Sequence, residues 1–361
     1  MIAREIIGYE QGEPVVRYTL QNSSGASVQL LNYGARVTAI NVPDNQGRLA
    51  NVILSYKHWQ QYIDDPYYLG AVIGRYANRI KQSRFTIGNR RYFLKHNEGL
   101  HHLHGGPDGF SFQFWQEEAL QHDMNSLTFS LESQSGEGGY PGTLKVYLSY
   151  TWTEDNILLV EFTANTDETT ILNLTLHPYF NLSGNPASSV LSHYLQVQAP
   201  HVLETNEALL PTGKVLNVDE PKGFAFADLT EIRKGLKESS KLFEKTHGGY
   251  DHTYVLNQQR GLREAARLVH ADSGRNMRVL TDYPAIQLYT SQWLNEDGQV
   301  PDADWKPFSA VCIEPQYLPD APNVKSFDTP LLEPDEAYHH RIAYQFGMQE
   351  CDDGTENLMK L

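Results

Sequence analysis

Two polar residues stand at the ends of strand-like runs, where acid–base chemistry could be done. In LNLTLHPYFNLSG (172–184), leucines alternate with Asn173, Thr175 and His177 until Pro178 breaks the run. In AVCIEPQYLPDAPN (310–323), Val311 and Ile313 alternate with Cys312 and Glu314, and Pro315 follows. Strict alternation predicts a half-buried strand with leucines toward the core and the polar residues on the other face. A proline cannot donate to a ladder, so each proline predicts the end of its strand. An imidazole and a carboxylate presented in this way are natural partners for general acid–base catalysis. AIQLYTSQW (285–293) repeats the geometry, with Gln287 and Tyr289 opposite Ile286 and Leu288.

Three further segments carry functional groups. GRYANRIKQSRF (74–85) brings Arg75, Arg79 and Arg84 directly after the apolar LGAVIG. That predicts a loop folded back on the body, where an arginine is a rigid multi-donor fork for hydroxyls or carboxylates. HHLHGGPDGF (101–110) joins His102 and His104 in an H-x-H pair to two glycines that allow a sharp bend. Such a pair can ligate a metal, but no H-E-x-x-H, C-x-x-C or Asp-rich loop accompanies it. A buried histidine bonded to backbone and a histidine that donates to a ligand hydroxyl are the two other readings. In HGGYDHTY (247–254), Asp251 could accept two hydrogen bonds from a vicinal diol or could cap a turn. Amide, phenol, imidazole, carboxylate and guanidinium together suit a neutral polyol better than a phosphate or a fatty chain. No G-x-G-x-x-G, Walker or G-x-S-x-G motif argues for nucleotide chemistry or serine hydrolysis.

The elements that must position these groups read as strands. Segments 27–43, 127–133, 144–153, 157–166, 194–200, 275–282, 285–293 and 337–346 alternate or are rich in β-branched and aromatic residues. Turn signals such as PDNQG and SGEGGYPG separate them. Helical pattern is confined to 55–64 and 229–241. Many strands with few helices predict an all-β protein, a large antiparallel sandwich or barrel. No repeat or linker divides the 361 residues, so residues 1–348 are expected to form one domain, with 349–361 as a flexible tail. The net charge of −15 argues against nucleic acid and against an anionic membrane surface as partners. Two cysteines, no signal-peptide pattern and no apolar run of roughly 18 residues point to a soluble, reduced, cytoplasmic protein.

GRYANRI, HLHGG, HPYFNLSG, GGYDHTY, IQLYTS and IEPQYLPDAPN occur in the order seen in aldose 1-epimerases, and the chain resembles that family from about 18 to 346. The resemblance implies a β-supersandwich with its site in a cleft. It also implies interconversion of the α and β anomers of a free aldohexose, without cofactor or metal. By motif match Glu314 is the expected general base and His177 the general acid. Asn78, Arg79, His104, Tyr179, Asp251 and Gln287 are expected to contact the sugar. Leu176 and Pro178 depart from the polar neighbours usual for the family's histidine, and His101 and His102 receive no role. The chemistry asks for an ionised glutamate and a protonated histidine. From reference pKa values of about 4.3 and 6.5, that state needs His177 raised, and a neighbouring carboxylate is expected to raise it. A hexose-6-phosphate epimerase of the same fold and a non-catalytic sugar-binding module are the rival readings. The first would need an added basic cluster, and the second the loss of Glu314 or His177.

Overall fold

The computed structural model describes residues 1–238, 241–257 and 259–348, so the tail expected at 349–361, with Cys351, lies outside the described residues. Alternation of side chains builds the strands. In Leu144–Trp152 every second residue is buried, so Leu144, Val146, Leu148, Tyr150 and Trp152 enter the core. Lys145, Tyr147, Ser149 and Thr151 stay half-exposed on the other face. This is the pattern of an antiparallel sheet covered on one side.

Three sheets carry most of the chain, and all their ladders are antiparallel. The first runs in sequence order through Ile2–Glu10, Glu13–Gln21, Ser27–Leu31, Val37–Pro43 and Leu49–Asn51. The second has nine strands, with the C-terminal strand Tyr338–Met348 between Ile157–Thr166 and Arg275–Thr281. The third is ordered Pro211–Asn217, His201–Thr205, Asp251–Val255, Ala285–Tyr289 and Cys312–Gln316. One buried apolar cluster takes residues from all three, from Ile2 through Val202 and Ile313 to Phe346. The fold is a large antiparallel β-sandwich, as the patterning predicted. Segment 55–64 forms only a single 3₁₀ turn, Trp59–Tyr62, and among the described residues of 229–241 α-helix is confined to Ile232–Leu236 and the start of Lys241–Glu244. No helix among the described residues is long and apolar enough to cross a membrane.

Two expectations change at the segments that matter most. The run 172–177 is not half-buried: Asn173 and Thr175 are as buried as the leucines beside them. Only Thr175–Leu176 joins a ladder, with Val72–Ile73. The polar face meets other chain rather than water. Asn173 accepts from the Tyr317 N–H at 2.9 Å and donates to the carbonyls of Ala77 and Tyr317. Nor does Pro315 end its strand, which continues to Gln316 with Pro315 opposite Ile286. Cys312–Gln316 is the outermost strand of its sheet, where a residue without an N–H leaves no partner strand unbonded.

Candidate active site

The third sheet places three of the expected side chains by register alone. Gln287 lies directly across from Glu314, and Thr253 directly across from Gln287. Asp251 faces Tyr289 two positions further along the same strands. The Gln287 amide donates to Asp251 Oδ1 and accepts from the Thr253 hydroxyl at 2.6 Å, so the amide plane is fixed from both sides. His177 is held at its backbone, which accepts from Gly70 N–H and donates to the Ala71 carbonyl, both at 3.0 Å. Its Nε2 then stands 3.5 Å from Glu314 Oε1.

Arg79 and His104 come from adjoining segments. Arg79–Ile80 pairs with His102–Leu103 in a short ladder. The residues flanking it, Asn78 and His104, both take left-handed backbone conformations. His104 Nδ1 accepts the Asn78 N–H at 3.2 Å, so the neutral ring carries its proton on Nε2, ready to donate. The glycine after it is required. A Cβ on Gly105 would lie 1.7 Å from the Gly74 carbonyl oxygen, at a φ of +85°. Asn78 Oδ1 accepts the Arg79 N–H at 2.8 Å, which leaves the amide nitrogen for the cleft.

These groups line one cavity of about 240 Å³ together with Tyr67, Tyr68, Glu98, Tyr289 and Trp293. All eight residues singled out from sequence are in it: Glu314, His177, Asn78, Arg79, His104, Tyr179, Asp251 and Gln287. Tyr179 departs in detail, because its hydroxyl donates to the Tyr67 carbonyl at 2.9 Å and only its ring, 5.0 Å from that of His177, faces inward. His102, of the H-x-H pair, is fully buried between the Lys95 carbonyl and the Tyr140 hydroxyl, as a packed histidine bonded to backbone should be. Glu98, Tyr68 and Trp293 were not singled out. Glu98 grips Arg79 with both oxygens, at 2.7 and 2.8 Å, on the edge away from Asp251, which lies 3.8 Å from Nη1. Trp293 stacks on Tyr289 at the rim. Its only signal in the sequence was its place in the segment 285–293, four residues beyond the end of the strand that carries Gln287.

Burial dominates the electrostatics. Glu314 is 1% exposed, its Oε2 has no hydrogen-bond partner among the described residues, and its carboxyl is pushed well above the usual range by burial and then by Asp251. His177 is lowered to about 4, again by burial. The expectation that a neighbouring carboxylate raises it is therefore overturned: losing water costs the imidazolium more than its surroundings return, and Arg36 lowers it further. His104 falls well below its ordinary value and Asp251 rises, with burial first in both cases. Cys312 lies behind His177, its Sγ 3.7 Å from Nδ1. His177, Cys312 and Glu314 are the one group of three possible metal ligands within 4.8 Å of each other among the described residues. Burial holds that thiol well above its ordinary range, in the protonated form that ligates poorly. The arrangement suits proton exchange with a hydroxylated, uncharged ligand.

A family model described as aldose 1-epimerase matches residues 16–345. The galactose mutarotase of Bos taurus is 36% identical over 337 residues, covering 92% of this chain and 94% of its own. The aldose 1-epimerase of Escherichia coli K12 is 33% identical over 341 residues, 93% of this chain and 96% of its own. Among solved structures, a galactose 1-epimerase from Lactobacillus acidophilus superposes with a TM-score of 0.85 at 25% identity, covering 97% of this chain and 99% of that one.

Proposed function

The chain belongs to the aldose 1-epimerase family, and from that premise we propose that Glu314 and His177 open and close the ring of its sugar as base and acid. The protein is an isomerase that interconverts the α and β anomers of free aldohexoses. The observation that carries the residue assignment is the 3.5 Å approach of His177 Nε2 to Glu314 Oε1 inside a cleft of hydrogen-bonding side chains.

The Glu314 carboxylate takes the proton of the C1 hydroxyl while His177 Nε2 gives one to the ring oxygen. The bond from C1 to the ring oxygen breaks, and the aldehyde forms. Rotation about C1–C2 presents the other carbonyl face. Closure returns the proton from Glu314 to O1 and the ring-oxygen proton to His177. The pair holds one proton throughout. Burial leaves it on Glu314 in the free protein, which is also the distribution that accompanies the open chain. A bound sugar that donates to the carboxylate favours moving it to His177, the distribution of the closed ring. Arg79, Asn78, His104, Asp251 and Gln287 hold the hydroxyls, and Tyr179 supports a face of the sugar with its ring. Residues 1–348 act as one catalytic domain in this reading. Its setting is cytoplasmic, in keeping with the unpaired, buried thiol of Cys312.

Polarimetry of fresh α-D-galactose and α-D-glucose, with and without the protein, tests the reaction. Faster approach to the same final rotation is expected. The assignment of the pair fails if either Glu314→Ala or His177→Asn keeps the wild-type rate in a folded protein. A 6-phosphorylated substrate is disfavoured by the cleft itself, where Arg79 is the only lysine or arginine among the lining residues and is already bonded to Glu98.

A further inference from the structure

A lone arginine in a sugar cleft is by chemistry an anion clamp, because its planar fork matches a carboxylate or phosphate. Here that edge of the fork is already taken. Glu98 accepts from Nε and Nη2 of Arg79, and only the side toward Nη1 is left to the cleft, with Asp251 beside it. Two carboxyl groups thus flank the single guanidinium. The position of Glu98 is built rather than incidental. It sits on a tight turn closed by reciprocal backbone bonds with His101, at 3.1 and 2.8 Å. The preceding Asn97 ties that turn to Leu103, accepting its N–H at 2.7 Å and donating to its carbonyl at 2.9 Å. Leu103 is the direct ladder partner of Arg79. The backbone that presents Arg79 therefore also fixes the carboxylate that neutralises it.

We propose that Glu98 determines the charge selectivity of the cleft, cancelling Arg79 so that neutral aldoses are accepted and sugars bearing a carboxylate or phosphate are turned away. The proposal rests on the epimerase reading and names the substrate class within it. With Glu98 removed, only Asp251, 3.8 Å from Nη1, still opposes the charge of Arg79, and an anionic sugar gains a partner that a neutral sugar does not need. The Glu98 side chain is 35% exposed, so solvent screens part of the effect.

The test compares galactose with galacturonate, which differ only at C6, by polarimetry at low and moderate ionic strength. Wild type is expected to prefer galactose in kcat/KM. Glu98→Gln should shrink that preference about tenfold, chiefly through a lower KM for galacturonate, with the gain fading as salt is added. Glu98→Asp, which keeps the charge, should keep the preference and serves if the glutamine variant does not fold. A residue that merely braced the loop would cost both sugars alike, so an unchanged ratio in Glu98→Gln overturns the proposal. So does a wild type that treats the two sugars equally. Failure of wild type to accelerate galactose at all is the separate result that removes the epimerase reading, and the substrate preference with it.

Discussion

Arg75 and Arg79 stand four residues apart in one motif and meet opposite fates. Arg75 is driven into the body of the protein, where its guanidinium donates to the carbonyls of Ser133, Gln134, Pro141 and Gly142 and to the Ser133 hydroxyl. Burial lowers its pKa to about 10, yet the carbonyl cage keeps it charged and immobile. Arg79 turns toward the cleft, is matched by Glu98 on one edge and keeps the Nη1 side for a ligand. The third arginine of the segment, Arg84, lies at the exposed surface. What separates structure from function here is neither residue type nor burial. It is whether the protein itself has satisfied every donor.

The same contrast predicts which substitutions will harm activity and which stability. The largest effect is expected at Glu314, whose Oε2 has no partner among the described residues. Glu314→Gln should cut kcat about 10²–10⁴-fold while the melting temperature holds or rises, since a neutral amide replaces a carboxyl group whose ionisation burial already opposes. A melt that falls in step with activity would make Glu314 a structural residue. Arg75→Met should do the reverse. It leaves several buried carbonyls without a donor and should cost about 3 kcal/mol or more in chemical denaturation, with activity per folded molecule unchanged. Arg79→Lys keeps the charge but loses the fork. A drop of about tenfold in kcat/KM with little change in stability is expected, and stability loss comparable to that of Arg75→Met would erase the distinction drawn between the two arginines.

The smallest effect, but the most diagnostic of the acid–base pair, concerns pH. Burial lowers His177 and raises Glu314, so the singly protonated pair persists from about pH 4, where His177 would gain a second proton, up to the elevated pKa of Glu314. The acid limb of kcat/KM then belongs to the histidine and the alkaline limb to the glutamate, the opposite of what reference values assign. NMR of the His177 ring in the free protein checks this directly. The ring should stay neutral at pH 5.5, and titration near 6.5 would restore the reference assignment.

That reversal marks the boundary of what could be read from sequence. Strands such as Leu144–Trp152 were legible because one face is buried and the other is not, and period-two alternation records the difference. The eight candidate residues could be picked out because they lie in short ordered motifs, and one cavity gathers them all. Burial on both faces at 172–177 was not legible, because Asn173 looks like a surface residue until Ala77 and Tyr317 bond it, and Thr175 until Val72–Ile73 pairs alongside. Pro315 misled because its place at a sheet edge is a property of the sheet and not of the strand. Glu98 escaped notice because its role depends on a turn that folds back toward Arg79, which no local pattern announces. The direction of the His177 shift needed desolvation, and desolvation is set by everything that surrounds the ring.

The proposed one-proton pair has a further consequence for how the cleft can be built. Ring opening moves one proton onto Glu314 and one away from His177, and ring closure sends both back. Every turnover therefore ends in the charge state in which it began, with no debt to the solvent. An enzyme that hydrolyses its substrate must admit water as a reactant. This cleft has no such need, and its walls of Tyr67, Tyr68, Tyr289 and Trp293 can close around the sugar as tightly as entry and exit permit. The pace of the cycle is then left to the passage of the sugar and its turn about C1–C2.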